Sequence, residues 1–241
     1  MTGTIIRAPG ATFGSGLPPA RVAESLNCLG YYLFGVDQES SARNRIPGGA
    51  DLVPIGAGPH AYGDATATLS DTRGFETPFT VTPFNFTVVY VNDRASSSVA
   101  GTATPPGIMF YASAATGAFD QYWSAADEEV LRGSDANVAT PAGAQVETQY
   151  WGTRQHFRAI VETNTAASLY IEEGHALHPV FSTPTNHSAL PATAVRFGGA
   201  GFGTGYTRMS AAAVFNRALS EPEIRTVYRK IVADLEARGV R

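Results

Sequence analysis

From Phe84 to Tyr90 every second residue is large and apolar, namely Phe84, Phe86, Val88 and Tyr90. That is the two-residue period of a strand with one face in a core and the other in water. A helix cannot carry it, because its apolar face returns every three or four residues. Similar runs recur at Phe79 to Val81, Gly107 to Ala112, Gln145 to Trp151, His156 to Glu162, Ala167 to Glu172, Ala194 to Phe197 and Thr207 to Phe215, with turn residues between them. No amphipathic helix separates these runs, whereas parallel strands need crossovers of a dozen or more residues. The pattern predicts an all-β chain of antiparallel sheets packed face to face as a β-sandwich. Pro83 cannot donate to a ladder and marks a bulge or a break.

The chain has 241 residues, enough to bury a large core without a covalent staple. Its lone Cys28 has no intramolecular partner and reads as a small buried residue. With 25 Gly and 15 Pro the chain is rich in turns, and only 16% of residues are charged, with a net charge of -4. That balance argues against an electrostatic grip on nucleic acid. There is no apolar run long enough for membrane insertion. Met1 to Gly16 has no stretch of the kind a signal peptide requires, so export by the general pathway is not expected, and the sequons at Asn85 and Asn186 read as chance matches.

Residues 1–20 are rich in Gly and Pro and poor in large apolar residues, and read as an extended N-terminal arm that lies on a neighbour. Arg21 to Leu29 reads as a short helix running into a strand, and residues 35–78 as loop with brief edge strands. Residues 21–219 form the sandwich in this reading, and residues 220–241 form a C-terminal amphipathic α-helix. Ser220-Glu-Pro-Glu223 has the spacing of a capping box. Ile224, Val227, Tyr228, Ile231, Val232 and Leu235 follow as one stripe, and Gly239 is a natural stop.

Three blocks stand in order: the strand 79–92, the paired strands His156 to Glu162 and Ser168 to Gly174, and the ending Val195-Arg-Phe-Gly-Gly through Phe215-Asn-Arg-Ala-Leu-Ser-Glu-Pro-Glu-Ile224. Together they resemble the laminin-G-like, concanavalin-A-like jelly-roll family, whose last block has the form "i-y-n-R-A-L-S-x-x-E-I". Val88 or Tyr90 stands where that family commonly has Trp, and Tyr170-Ile-Glu-Glu-Gly174 stands for its "Y-v-D-G" turn. The resemblance implies a lectin-like jelly roll. It leaves calcium open without placing its ligands on this chain, and it implies no other cofactor. Such a fold hosts lectins, glycosidases and structural subunits alike. The leader Thr4 to Phe13, together with the missing export signal, looks like tailed-phage virion proteins. That second resemblance implies a virion subunit that meets other virion proteins through its arm, forms homo-oligomers and contacts host-surface glycan.

Candidate chemistry is sparse. Tyr122-Trp123 and Tyr150-Trp151 are aromatic pairs of which one ring each faces outward if the segment is extended, a platform for the apolar face of a sugar. Gln121, Asp127 and Arg154 stand near enough in sequence to orient a bound glycan. Trp123 falls in a loop-like stretch between Gly117 and Gly133, and Asp127-Glu128-Glu129 reads as a solvated loop. The alternative readings are a glycan hydrolase, which would use those carboxylates although adjacent residues seldom converge on one bond, and a free cellular lectin. Glu172, His175, His178 and His187 are of metal-ligand type but match no zinc spacing, and Gly174 reads as a hairpin tip. The run Gly198 to Gly205 satisfies no nucleotide-loop pattern and reads as a glycine-rich hairpin. With no G-x-S-x-G elbow and no paired-carboxylate motif, a non-enzymatic binding subunit is the leading expectation.

Overall fold

A computed structural model of the chain describes residues 27–70, 72–81, 85–93, 117–123, 128–135, 144–147, 156–163, 166–173, 176–184, 193–199 and 206–240. The strands, in order, are β1 (Cys28–Leu33), β2 (Val53–Ile55), β3 (Ala61–Tyr62), β4 (Ala67–Ser70), β5 (Gly74–Val81), β6 (Asn85–Asp93), β7 (Gly117–Trp123), β8 (Glu128–Asp135), β9 (Ala144–Glu147), β10 (His156–Thr163), β11 (Ala166–Glu173), β12 (Ala176–Pro184), β13 (Thr193–Gly198) and β14 (Tyr206–Phe215). The helices are α1 (Gln38–Ala42) and α2 (Glu221–Ala237). An eight-stranded sheet runs β12-β11-β10-β6-β14-β4-β3, with β1 also paired to β14. The three-stranded sheet β13-β5-β2 packs on it to make an all-β antiparallel sandwich, and β7-β8-β9 form a further antiparallel sheet.

Around β6 the large sheet is buried on both faces, which is why β6 departs from the half-buried alternation its sequence suggests. Phe86, Val88 and Tyr90 point with Ile160, Met209, Ala212 and Val214 into one cluster, which Phe75, Val81, Val195 and Phe197 of the small sheet close. Val89 and Val91 point the other way, with Phe157, Ala159, Ala211, Ala213 and Phe215, onto Ile224, Val227, Ile231 and Leu235 of α2. The molecule therefore has three layers, helix on sheet on sheet, and Val88 to Val91 are all buried. A bulge at Ser210 keeps β14 in step with both cores. The register shifts between Met209 and Ala211, so that Met209 and Ala212 face the same cluster although three residues apart in sequence.

α2 is held in place at both ends. The Glu223 carboxylate accepts from the Ser220 backbone N–H and hydroxyl, each at 2.8 Å, as the capping spacing predicts. The Thr87 hydroxyl, on β6, accepts from the Leu219 N–H at 2.9 Å and donates to the Arg217 carbonyl at 3.0 Å, fixing the chain as it leaves the sheet. At the far end Gly239 adopts φ +74° and its N–H reaches the Glu236 carbonyl.

Several sequence expectations are corrected. The stretch 117–133, read as loop-like, contains the paired strands β7 and β8, and Glu128 and Glu129 begin β8 instead of lying in a solvated loop. The glycine run is not a hairpin: β13 pairs with β5 in the small sheet and β14 lies in the large one, so the chain crosses between layers there. Residues 35–78 contain α1, and β4 is an inner strand between β14 and β3, with Ala67 and Leu69 buried. β12 was not expected at all. The arm 1–20, most of the helix expected within Arg21 to Leu29, the strand expected at Gly107 to Ala112 and the second half of that expected at Gln145 to Trp151 lie outside the described residues.

Candidate functional site

On the outer face of the large sheet, α2 covers the stretch Ala211 to Phe215 of β14. Its last turn ends where Arg238 Nη2 donates to the carbonyls of Phe34 (2.8 Å) and Asp64 (3.3 Å). Beyond that point the sheet is open. Tyr206 and Arg208 of β14 lie there, exposed, opposite Ser70 and Thr68 of β4, and Thr68 in turn stands opposite Ala61 of β3. Tyr206 is 43% exposed, one of three large apolar side chains so exposed among the described residues.

The Tyr206 ring has a rigid backstop. His60 packs edge-on against it with ring centroids 4.9 Å apart. His60 Nε2 lies 2.9 Å from the hydroxyl of Ser70, and Nδ1 lies 3.3 Å from Arg73 Nη1. A guanidinium only donates, so Nδ1 is the accepting nitrogen, the ring proton sits on Nε2, and His60 donates to Ser70. Arg73 itself stitches the loop before β3, with Nε on the Gly58 carbonyl at 2.7 Å and Nη2 on those of Ala57 (3.2 Å) and Pro59 (3.1 Å). Gly58 sits there at φ +72°, a backbone conformation that side chains with a Cβ rarely adopt.

This arrangement suits binding and not nucleophilic hydrolysis. Ser70 is 2% exposed, and a histidine that donates to it cannot take its proton. An exposed aromatic ring fixed by a neighbouring ring, on a flat strand surface with a small Ala61, Thr68 and a cationic Arg208 beside it, can stack an apolar ligand face and orient its hydroxyls.

This shelf does not include the residues that the sequence points to. Tyr122 and Trp123 lie on β7, paired with Val130 and Glu129, and Gln121 is paired with Leu131. Asp127, Tyr150, Trp151 and Arg154 lie outside the described residues, as do His175 and His187. Glu172 and His178 stand on neighbouring strands, paired with Leu177 and Ile171, and Glu173 opposes Ala176, while Gly174 lies outside the described residues. Among the described residues no cluster of three or more metal-ligating side chains occurs. Tyr206, His60 and Arg73 went unnoticed in the sequence because their association is long-range. The local signal, a tyrosine between a glycine run and Thr-Arg, reads only as the start of a strand.

No protein-family model and no curated protein matches the chain. Solved structures do. The receptor-binding domain of botulinum neurotoxin D matches with TM-score 0.60 at 11% identity over 84% of this chain and 52% of its own. The binding domain of botulinum neurotoxin DC in complex with SialylT matches with TM-score 0.55 at 10% identity, over 83% of this chain and 51% of its own. The chain thus spans about half the length of these toxin domains. Domain 4 of AbnA, a GH43 extracellular arabinanase from Geobacillus stearothermophilus, in complex with arabinotriose, matches with TM-score 0.53 at 12% identity, over 82% of this chain and 96% of its own. At these identities the likeness is one of fold.

Proposed function

We propose that this chain is a non-enzymatic, lectin-like glycan-binding module and that Tyr206 is its stacking residue. The observation that carries this reading is the exposed Tyr206 ring braced by His60, whose own two nitrogens are both engaged. A site built this way loses little freedom when a ligand binds. Two of the fold neighbours were solved with ligands in place, SialylT and arabinotriose, which is further support for a sandwich that serves binding. Tyr122, Trp123 and Asp127, with Tyr150, Trp151 and Arg154, make up a second candidate contact surface. The two can be told apart by fluorescence, since Trp123 and Trp151 are the only tryptophans. Ligand on Tyr206 leaves tryptophan emission unmoved, and ligand on the second surface changes it.

The biological setting follows from the resemblance of Thr4 to Phe13 to tailed-phage virion proteins: a virion subunit, homo-oligomeric, joined to its neighbours through residues 1–20 and touching host-surface glycan. A glycan array probed with the wild-type chain and Tyr206→Ala tests the binding reading. Signal lost in the variant is the expected result. An array without signal, or turnover of a polysaccharide by the wild-type chain, overturns it. Finding the chain in purified virions tests the setting, and loss of incorporation on deleting residues 1–20 tests the role of the arm.

A further inference from the structure

His60 is exposed, yet its imidazole is engaged at both nitrogens. Nε2 lies 2.9 Å from the hydroxyl of Ser70 on β4, and Nδ1 lies 3.3 Å from Nη1 of Arg73, in the connection between β4 and β5. Arg73 has little room to yield. Its Nε and Nη2 are bound to the carbonyls of Gly58, Ala57 and Pro59, so the Nη1 that faces His60 is held in place and offers only N–H. Tyr206 of β14 packs against the imidazole with the two rings 85° apart, and Arg208 stands two residues further along β14, opposite Thr68. Asp71, two residues before Arg73 in the sequence, lies outside the described residues.

This geometry suits one protonation state of the ring. Neutral, with its proton on Nε2, the imidazole donates to Ser70 and accepts from Arg73. An imidazolium donates from both nitrogens. A proton on Nδ1 would then face the N–H of a guanidinium that keeps its own, so a hydrogen bond is lost and two positive charges stand side by side. An imidazolium also attracts a tyrosine ring, but at an exposed site that attraction is weak beside a lost hydrogen bond and a fixed like charge. The ring borders solvent, so turning out into water relieves both. Imidazoles take up their proton at about pH 6.5.

We propose that His60 is an acid-sensitive latch for the Tyr206 shelf: neutral, it braces the tyrosine ring for a ligand, and protonated, it parts from Arg73 and the brace is lost. The effect on a ligand rests on the glycan reading above, whereas the movement of the ring does not. The braced state is favoured above about pH 6.5 and gives way as pH falls below it. Imidazole nitrogen shifts and the nuclear Overhauser contact between the His60 and Tyr206 rings, followed in the full chain from pH 7.5 to 5.0 without ligand, test the latch. The expected result is the Nε2–H tautomer with the contact present at pH 7.5, and loss of the contact as the ring is protonated. A ring that stays neutral to pH 5.0, or one that is protonated with the contact intact, overturns the proposal. A glycan array probed at the two pH values reads the consequence. Wild-type signal is expected to fall at least about fivefold at pH 5.0. His60→Phe keeps a ring beside Tyr206 but cannot titrate, and its two signals should agree within about twofold, whatever their level. Equal wild-type signal at the two values overturns the latch and leaves the glycan reading standing. No signal at either value is the failure of the glycan reading, and the titration of the ring then decides the latch alone.

Discussion

Glu223 joins two contacts at the start of α2. Its carboxylate takes hydrogen bonds from Arg217 and from the backbone and hydroxyl of Ser220, and these, Arg217 foremost, hold its pKa down from 4.5 to about 2. A carboxyl whose pKa is lower folded than unfolded stabilises the fold above its unfolded pKa, and that contribution fades as pH falls from about 4.5 towards about 2. Because the pair is 28% and 29% exposed, the contribution is about 1 kcal/mol, well short of the full shift. Glu223→Gln is expected to be less stable than wild type by that amount in denaturant titrations near pH 6, with the gap closing towards pH 2. The Cys28 thiol behaves oppositely. Burial pushes its pKa to about 12, and it donates to the Gly30 carbonyl at 3.3 Å, so it should resist a thiol-specific reagent until the chain is unfolded. Gly198 sits at φ +70°, and a Cβ there would lie 2.8 Å from the Arg73 carbonyl and 2.9 Å from that of Ser70. Gly198→Ala should cost about 2 kcal/mol or more in thermal or denaturant unfolding. At this scale the sequence was readable where the partner is close in the chain, as with the capping box, or where chemistry alone decides, as with Cys28. The contact of Tyr206 with His60 depends on three strands meeting, and no local pattern records it.

α2 shows how far periodicity carries at the scale of elements. Ile224, Val227, Ile231 and Leu235 of the expected stripe are buried, and Tyr228 packs edge-on against Phe157 with centroids 5.0 Å apart. Val232 lies at the margin, half-buried. Ile231 is 1% exposed, and Ile231→Ala should destabilise the chain by about 2–4 kcal/mol without changing its strand content by circular dichroism. Strands with strong alternation, β6 and β10, were legible, as was β14 despite its bulge. β7 and β8 were not, because small, polar and acidic residues break their apolar runs, and α1 is too short to show a stripe. The glycine run between β13 and β14 misled for a physical reason. Gly198 and Gly199 adopt positive φ, which a hairpin turn would also use, and they do so here to pass close by Ser70 and Arg73 while the chain changes sheets.

At the scale of the whole molecule, the helix decides where a site can be. It covers one face of the large sheet from β1 to β10 and stops short of the first residues of β14, which leaves an open shelf where Tyr206 stands. The sandwich class was legible from alternation, but the helix layer's limit was not, since it depends on where Arg238 lands against Phe34 and Asp64. Because Tyr206 contributes to neither core cluster, Tyr206→Ala is expected to keep the melting temperature within a few degrees while losing the ligand. The most direct measurement is an amide chemical-shift map of the labelled chain titrated with an array-identified glycan. The shelf account predicts saturable shifts concentrated at His60, Ala61, Thr68, Tyr206 and Arg208. Shifts confined to the small sheet β13-β5-β2, or to β7 and β8, with the shelf silent, would contradict it.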